Sequence, residues 1–194
     1  GSLAYPVLTS AEMQSKHPAF IVAPQCPLGG KRWVNVNWSD GAYVSKTVAV
    51  SDEMTLALSI VDKLVAEFPV DKTRIYVTGR SMGGFATWDA IARRPDYFAA
   101  AVPIAGGGDP QMAEQWKELP IWAFASAGDE TCPVAGTRAV VEALKKVGGM
   151  IKYTEDPKKS HGQICGAWEE QEGLAEWLFA QHKPVGKVEA ELLK

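Results

Sequence analysis

The chain has 194 residues, 46% of them hydrophobic and 22% charged, with a formal net charge of −3. That is enough for one domain with a good core, and the slight acidity gives no footing for nucleic acid or an anionic membrane. No apolar run approaches the roughly 18 residues of a membrane span, and neither Cys26, Cys132 and Cys165 nor His17, His161 and His182 follow metal-ligand spacing, so no metal and no cofactor are expected.

Gly1-Ser2 reads as a cloning remnant and no signal peptide is visible, which leaves the compartment open, a secreted origin included. In residues 1–18, Thr9-Ser10-Ala11-Glu12 is placed to cap a short helix through Lys16. Ala19 to Ala23 is an apolar run stopped by Pro24, which predicts a buried strand. A long loop follows over 24–47, and a loop of that length usually serves a purpose. Met54, Leu58, Val61, Leu64 and Val65 recur at helical spacing, predicting an amphipathic helix from a Ser51 cap to Phe68.

Arg74 to Thr78 reads as a strand, Phe85 to Ala92 as a helix, and Phe98 to Ala105 as a second buried strand. A short helix is expected over 110–117, a strand over 120–125 and a helix over 134–147 closed by Gly148-Gly149. The last strand is Met150 to Thr154; 155–166 reads as loop and 167–181 as a final helix. Residues 1–182 form a single domain in this reading, with a charged, fraying tail at 183–194. Strands alternating with helices predict an α/β fold with a mainly parallel sheet flanked by helices. In such sheets ligands sit beyond the carboxyl ends of the strands.

Between the strand at 74–78 and the helix at 85–92 lies Gly79-Arg80-Ser81-Met82-Gly83-Gly84. Strand, G-x-S-x-G, helix is the context of a nucleophile elbow, a sharp turn that presents a serine at a helix N-terminus. Glycines suit so tight a turn, and the helix dipole with the free Met82 N–H favours an oxyanion beside Ser81. The plain alternative is a glycine-rich turn without chemistry.

The other strand ends weigh against it. Asp129 follows the strand at 120–125, and His161 follows the strand at 150–154. Ser…Asp…His is the chain order of an α/β-hydrolase triad. A serine hydroxyl needs a neutral imidazole as base, and the imidazole needs a carboxylate to fix its tautomer. His17 precedes the first strand and His182 follows the last helix, so only His161 falls on the right edge. For the acid, Asp129 is favoured; Glu130 and Asp109 compete, although Asp109 before Pro110 has a sufficient role as a helix cap.

These stretches resemble the α/β-hydrolase superfamily, and more narrowly the phospholipase/carboxylesterase and dienelactone-hydrolase-like esterases, relatives of the prolyl oligopeptidase catalytic domain. The likeness rests on Ala23 to Pro27, Arg74 to Trp88, Pro120 to Phe124 with Asp129 and Pro133, and Ser160-His161-Gly162. It implies Ser81, Asp129 and His161 as a triad. Two departures stand out. Ala125-Ser126 stands where the group usually carries His-Gly. The strands that normally precede 19–23 are also missing, including one whose loop supplies the second oxyanion N–H. The resemblance therefore implies an N-terminally truncated α/β-hydrolase fold with a gap beside the elbow strand, filled by a missing N-terminal segment or by homo-oligomerisation, or closed by the remaining strands directly, with a substitute donor beside Met82 N–H.

Trp33, Trp38 and Tyr43 in the long loop are candidate substrate-binding residues, with ordinary core cover as the alternative. Cys132 and Cys165 follow Asp129 and His161 closely, and a disulfide between those loops or two free thiols are both open. The expected function is a carboxylesterase, a serine hydrolase of small esters working through an acyl-enzyme. A prolyl-oligopeptidase-like peptidase and a catalytically weak or inactive binding module are the alternatives.

Overall fold

Four strands form the sheet of this computed structural model, which describes residues 6–184. They are β1 (Tyr76–Arg80), β2 (Ala100–Ile104), β3 (Ile121–Ser126) and β4 (Ile151–Asp156), all parallel and in the order β1-β2-β3-β4. Every residue of β2 and β3 is buried, as expected for central parallel strands covered on both faces. Among the described residues, no strand pairs with the outer edge of β1.

The helices are α1 (Pro6–Thr9), α2 (Ala11–Lys16), α3 (Asp52–Glu67), α4 (Met82–Arg93), α5 (Ala113–Trp116), α6 (Val134–Lys146), α7 (His161–Ile164), α8 (Ala167–Glu170) and α9 (Leu174–Phe179). Side chains alternate across the strands and so feed two cores. Ala101, Ile121 and Ala123 pack with Leu58, Trp88, Ile91, Val140 and Leu144 from α3, α4 and α6. Ala100, Val102, Ile104, Trp122 and Phe124 pack with Met13, Trp168, Leu174 and Phe179 on the other side. A fully buried Ile91 or Leu144 contributes roughly 1.5–3 kcal/mol. The result is helix, sheet, helix, and all four strands aim their carboxyl ends at one edge. No helix among the described residues is long and apolar enough to cross a membrane.

Several local expectations hold. Ser10 and Ser51 cap α2 and α3 through their hydroxyls, which accept from Met13 N–H at 3.1 Å and Met54 N–H at 3.0 Å. Asp109 caps the turn at 110–112, accepting from Gln111 N–H at 2.9 Å.

Others are corrected. Residues 19–23 are not a strand: Phe20 is 58% exposed, and its ring lies 5.4 Å from that of Phe68. The run lacks a ladder partner, and extended backbone without one is not a strand. The segment at 155–166 is not all loop, because its second half forms α7. The helix expected over 167–181 is broken into α8 and α9: Gln171 turns extended after α8, and Gly173, with a left-handed φ of +74°, precedes α9. Of the tail at 183–194, residues 185–194 lie outside the described residues.

Candidate active site

The turn after β1 is as tight as its glycines imply. Ser81 has φ 58° and ψ −122°, a conformation rarely held by a residue with a side chain. It is pinned there by its neighbours: Ser81 N–H donates to Ile104 O at 2.9 Å, and Ser81 O accepts from Gly84 N–H at 2.7 Å. A β-carbon at Gly79 would lie 2.1 Å from Gly83 O, and one at Gly84 would lie 2.3 Å from Ile104 O. Met82 is the first residue of α4, so its N–H has no acceptor within the helix.

β3 ends at Ser126, and the turn beyond it carries Asp129. Asp129 Oδ1 accepts from Thr131 N–H at 2.9 Å and Cys132 N–H at 2.8 Å, which fixes the carboxylate and leaves Oδ2 for another partner. β4 leads through a turn to α7. There Gln163 Oε1 accepts from Ser160 N–H at 2.9 Å and from its hydroxyl at 3.1 Å, so His161 starts a capped helical turn.

The three elements bring Ser81, His161 and Asp129 into one chain of hydrogen bonds. His161 Nδ1 is 2.7 Å from Asp129 Oδ2, and His161 Nε2 is 2.8 Å from Ser81 Oγ. With Nδ1–H donating to the carboxylate, Nε2 is left to accept from the Ser81 hydroxyl. The rival acids are elsewhere. Asp109 is buried and accepts from Ser45 N–H and Oγ, each at 2.7 Å, which ties the long loop to the end of β2. Glu130 is exposed. His17 stacks on Phe179, ring centroids 4.7 Å apart.

The aromatic loop lies on the same side. Trp33, Trp38 and Tyr43 pack on Val34, Phe85 and Cys132, and Phe85 lies one turn along α4 from Ser81. Arg32 sits over the Trp38 ring at 4.7 Å. Tyr43 differs from its neighbours, because its hydroxyl donates to Asp89 at 3.3 Å. Burial first and the Asp89 charge second push the Tyr43 phenol far above its ordinary pKa, so it stays protonated. Burial also raises Asp89, against the opposing pull of Arg93. This buried Asp89–Arg93–Tyr43 group escaped the sequence reading, although the i, i+4 spacing of Asp89 and Arg93 on a predicted helix was a visible signal. The cysteines are free thiols. Burial is the first cause that pushes Cys132 up to about 12 and Cys165 up to about 11.

Comparison with a solved thermostable esterase gives a TM-score of 0.80 at 36% identity, covering 91% of this chain and 48% of that one. The chain has the α/β-hydrolase fold. Residues 30–124 match the model of the prolyl oligopeptidase family. A poly(3-hydroxyalkanoate) depolymerase C from Paucimonas lemoignei is 33% identical over 104 residues, 54% of this chain and 24% of the depolymerase. The structure of Arabidopsis thaliana SOBER1 shares the fold, with a TM-score of 0.65 at 15% identity, covering 90% of this chain and 88% of SOBER1. The chain thus spans about half the length of the esterase and about a quarter of the depolymerase.

Proposed function

We propose that this chain carries the catalytic centre of a serine hydrolase acting on carboxylic esters. The observation that carries the reading is the unbroken hydrogen-bond chain from Ser81 through His161 to Asp129, starting on a strained strand-to-helix turn. Ser81 Oγ attacks the ester carbonyl while His161 Nε2 takes its proton. Asp129 holds the imidazole in the required tautomer and stabilises the imidazolium. The tetrahedral oxyanion is met by Met82 N–H at the positive end of α4. His161 then gives the proton to the departing alkoxide, and an acyl-Ser81 ester remains. Water, deprotonated by the same imidazole, releases the acid.

An ester rather than an amide is supported by the names of the similar proteins, an esterase and a polyester depolymerase. Trp33 and Trp38 wall the substrate site around Phe85, in keeping with the apolar lining of such pockets. Tyr43 holds that wall through Asp89. The peptidase reading is favoured by the prolyl oligopeptidase match over residues 30–124. We also propose that the open edge of β1 is covered by association, with a second copy or with a further segment, and that the second oxyanion donor arrives with it. Lack of one such donor costs on the order of 10²–10³ in turnover.

The deciding experiment is hydrolysis of p-nitrophenyl acetate and butyrate beside an aminoacyl p-nitroanilide, with Ser81→Ala as control and fluorophosphonate labelling read by peptide mass. Ester turnover and a label on Ser81 are expected. Equal ester rates for both proteins and no label would overturn the reading and leave a binding module, while faster anilide cleavage would favour the peptidase.

A further inference from the structure

The helix that carries His161 is gripped at both ends by side chains outside the Ser81–His161–Asp129 chain. α7 has four residues, too few to hold a helix by itself. Where its imidazole points is therefore set by what holds the backbone on either side.

On the N-terminal side the grip is Ser126, the last residue of β3 and only 1% exposed. Its hydroxyl lies 2.6 Å from Lys159 O and 3.0 Å from Asp156 O, and it accepts from Gly128 N–H at 3.1 Å. A hydroxyl has one proton to give, and Lys159 O is the nearer acceptor. One buried oxygen thus ties the residue just before Asp129 to the residue two before His161. The two backbones touch at this point, for a β-carbon at Gly128 would lie 2.6 Å from Lys158 O.

At the C-terminal end the grip is Arg80, the last residue of β1 and the neighbour of Ser81. Its Nη1 donates to Cys165 O at 3.2 Å and lies 3.8 Å from Glu169 Oε1. Cys165 closes α7. The strand ends that present the acid and the nucleophile each send one side chain to the segment that presents the base.

We infer that Ser126 and Arg80 are positioning residues that hold His161 between Asp129 and Ser81. This rests on the ester-hydrolase reading of those three side chains. Neither residue reaches the reacting atoms; both act through the backbone of the 159–165 segment.

The test compares Ser126→Ala, Ser126→Thr and Arg80→Gln with the parent protein by kcat and KM for p-nitrophenyl butyrate across pH. Thermal melting checks that each variant is folded. Misplacing a catalytic group by about 1 Å costs up to about 10²-fold. Ser126→Ala is expected to lower kcat by about tenfold to a hundredfold with KM nearly unchanged. It is also expected to move the acid limb of the profile to lower pH, since a loosened carboxylate stabilises the imidazolium less. Ser126→Thr, which keeps the hydroxyl, restores both, and Arg80→Gln gives a smaller loss of the same kind.

A second readout does not depend on turnover. The His161 Nδ1–H proton, held by Asp129, is expected far downfield in the proton NMR spectrum, and Ser126→Ala shifts or broadens it. An unchanged resonance and pH profile in folded Ser126→Ala would overturn the inference. Loss of activity without movement of either would reduce Ser126 to a structural part. An inactive parent that keeps the downfield proton, moved by Ser126→Ala, would instead count against the hydrolase reading alone.

Discussion

Gly84 lies so close to Ile104 that a β-carbon on it would sit 2.3 Å from the Ile104 carbonyl oxygen. This approach of α4 to the end of β2 holds the elbow in place, because the same carbonyl accepts the Ser81 N–H at 2.9 Å. Gly79 is equally confined by Gly83 O at 2.1 Å, whereas a β-carbon at Gly83 meets nothing within 4 Å. The three glycines of the motif therefore do different jobs. Gly79→Ala and Gly84→Ala are expected to abolish fluorophosphonate labelling and to lower the melting temperature sharply, since backbone cannot yield as a side chain can. Gly83→Ala is expected to fold and to gain up to about 1 kcal/mol from helix propensity, read by urea unfolding.

The choice of acid separates in the same way. Asp129→Asn removes the acceptor of His161 Nδ1–H and is expected to lower ester kcat by on the order of 10⁴ with the fold intact. Glu130→Gln is expected to leave kcat within about twofold, because that side chain is exposed. Asp109→Ala strands the Ser45 hydroxyl and N–H and the Gln111 N–H. It is expected to cost about 1–3 kcal/mol of stability, measured by denaturant. Active Asp129→Asn beside inactive Glu130→Gln would reverse the assignment.

The meeting of Ser81, Asp129 and His161 was legible because each follows a strand, and parallel strands bring their carboxyl ends to one edge whatever the details between them. Run boundaries were legible only to within a residue or two: the strand read at 74–78 is seen at 76–80, since the hydrogen-bond ladder with β2 continues into the elbow. What the sequence hid depends on partners distant in the chain. Residues 19–23 have a strand's composition, yet a strand exists only beside another. Nothing local to Ser126 announces its bonds to residues 30 or more positions away. Tyr43 read as a pocket aromatic because its tie to Asp89 crosses 46 residues.

The cysteines give a direct chemical check. Cys132 is buried beside Asp129, and Cys165 Sγ lies 3.9 Å from His161 Nε2, both as free thiols. Burial, aided by the Asp129 charge, pushes Cys132 up to about 12, and burial pushes Cys165 up to about 11. The thiolate is the reactive form, so little is present at neutral pH. Native protein is expected to react slowly with a disulfide reagent and quickly once unfolded, and its intact mass should not change on reduction. A mass gain on reduction that matches one disulfide would show instead that the acid and base loops are bonded.

Asp156 makes the base segment sensitive to acid. Its Oδ1 accepts from Lys158 N–H and Lys159 N–H, each at 2.8 Å, and those bonds, Lys158 first, hold its carboxyl below the ordinary carboxylate value. The folded protein therefore binds this proton less readily than the unfolded chain. The stabilisation is fully present above the unfolded value and fades as pH falls through the lower folded one. Asp156→Asn is expected to be less stable than the parent at about pH 7 and to converge with it as pH falls below the lowered folded value. A constant gap in urea unfolding on both sides of that value would assign the effect to the turn and not to the charge.

The outer edge of β1 gives the last prediction. Tyr76 to Arg80 has no ladder partner there among the described residues, and an open strand edge is a template for pairing. The chain also exposes apolar side chains on its surface: Leu56 at 63% and Ile60 at 44%, four apart on α3, and the Phe20 and Phe68 ring pair. Light scattering is expected to give a mass above that of one chain, rising with concentration. Amide exchange at 76–80 should slow over the same range as the edge is covered. Leu56→Lys with Ile60→Lys is expected to lower association with little change in melting temperature, because exposed substitutions usually stay within about 0.5 kcal/mol. A single-chain mass at every concentration, with fast exchange along β1 throughout, would rule out self-pairing and leave a different chain segment as the occupant of that edge.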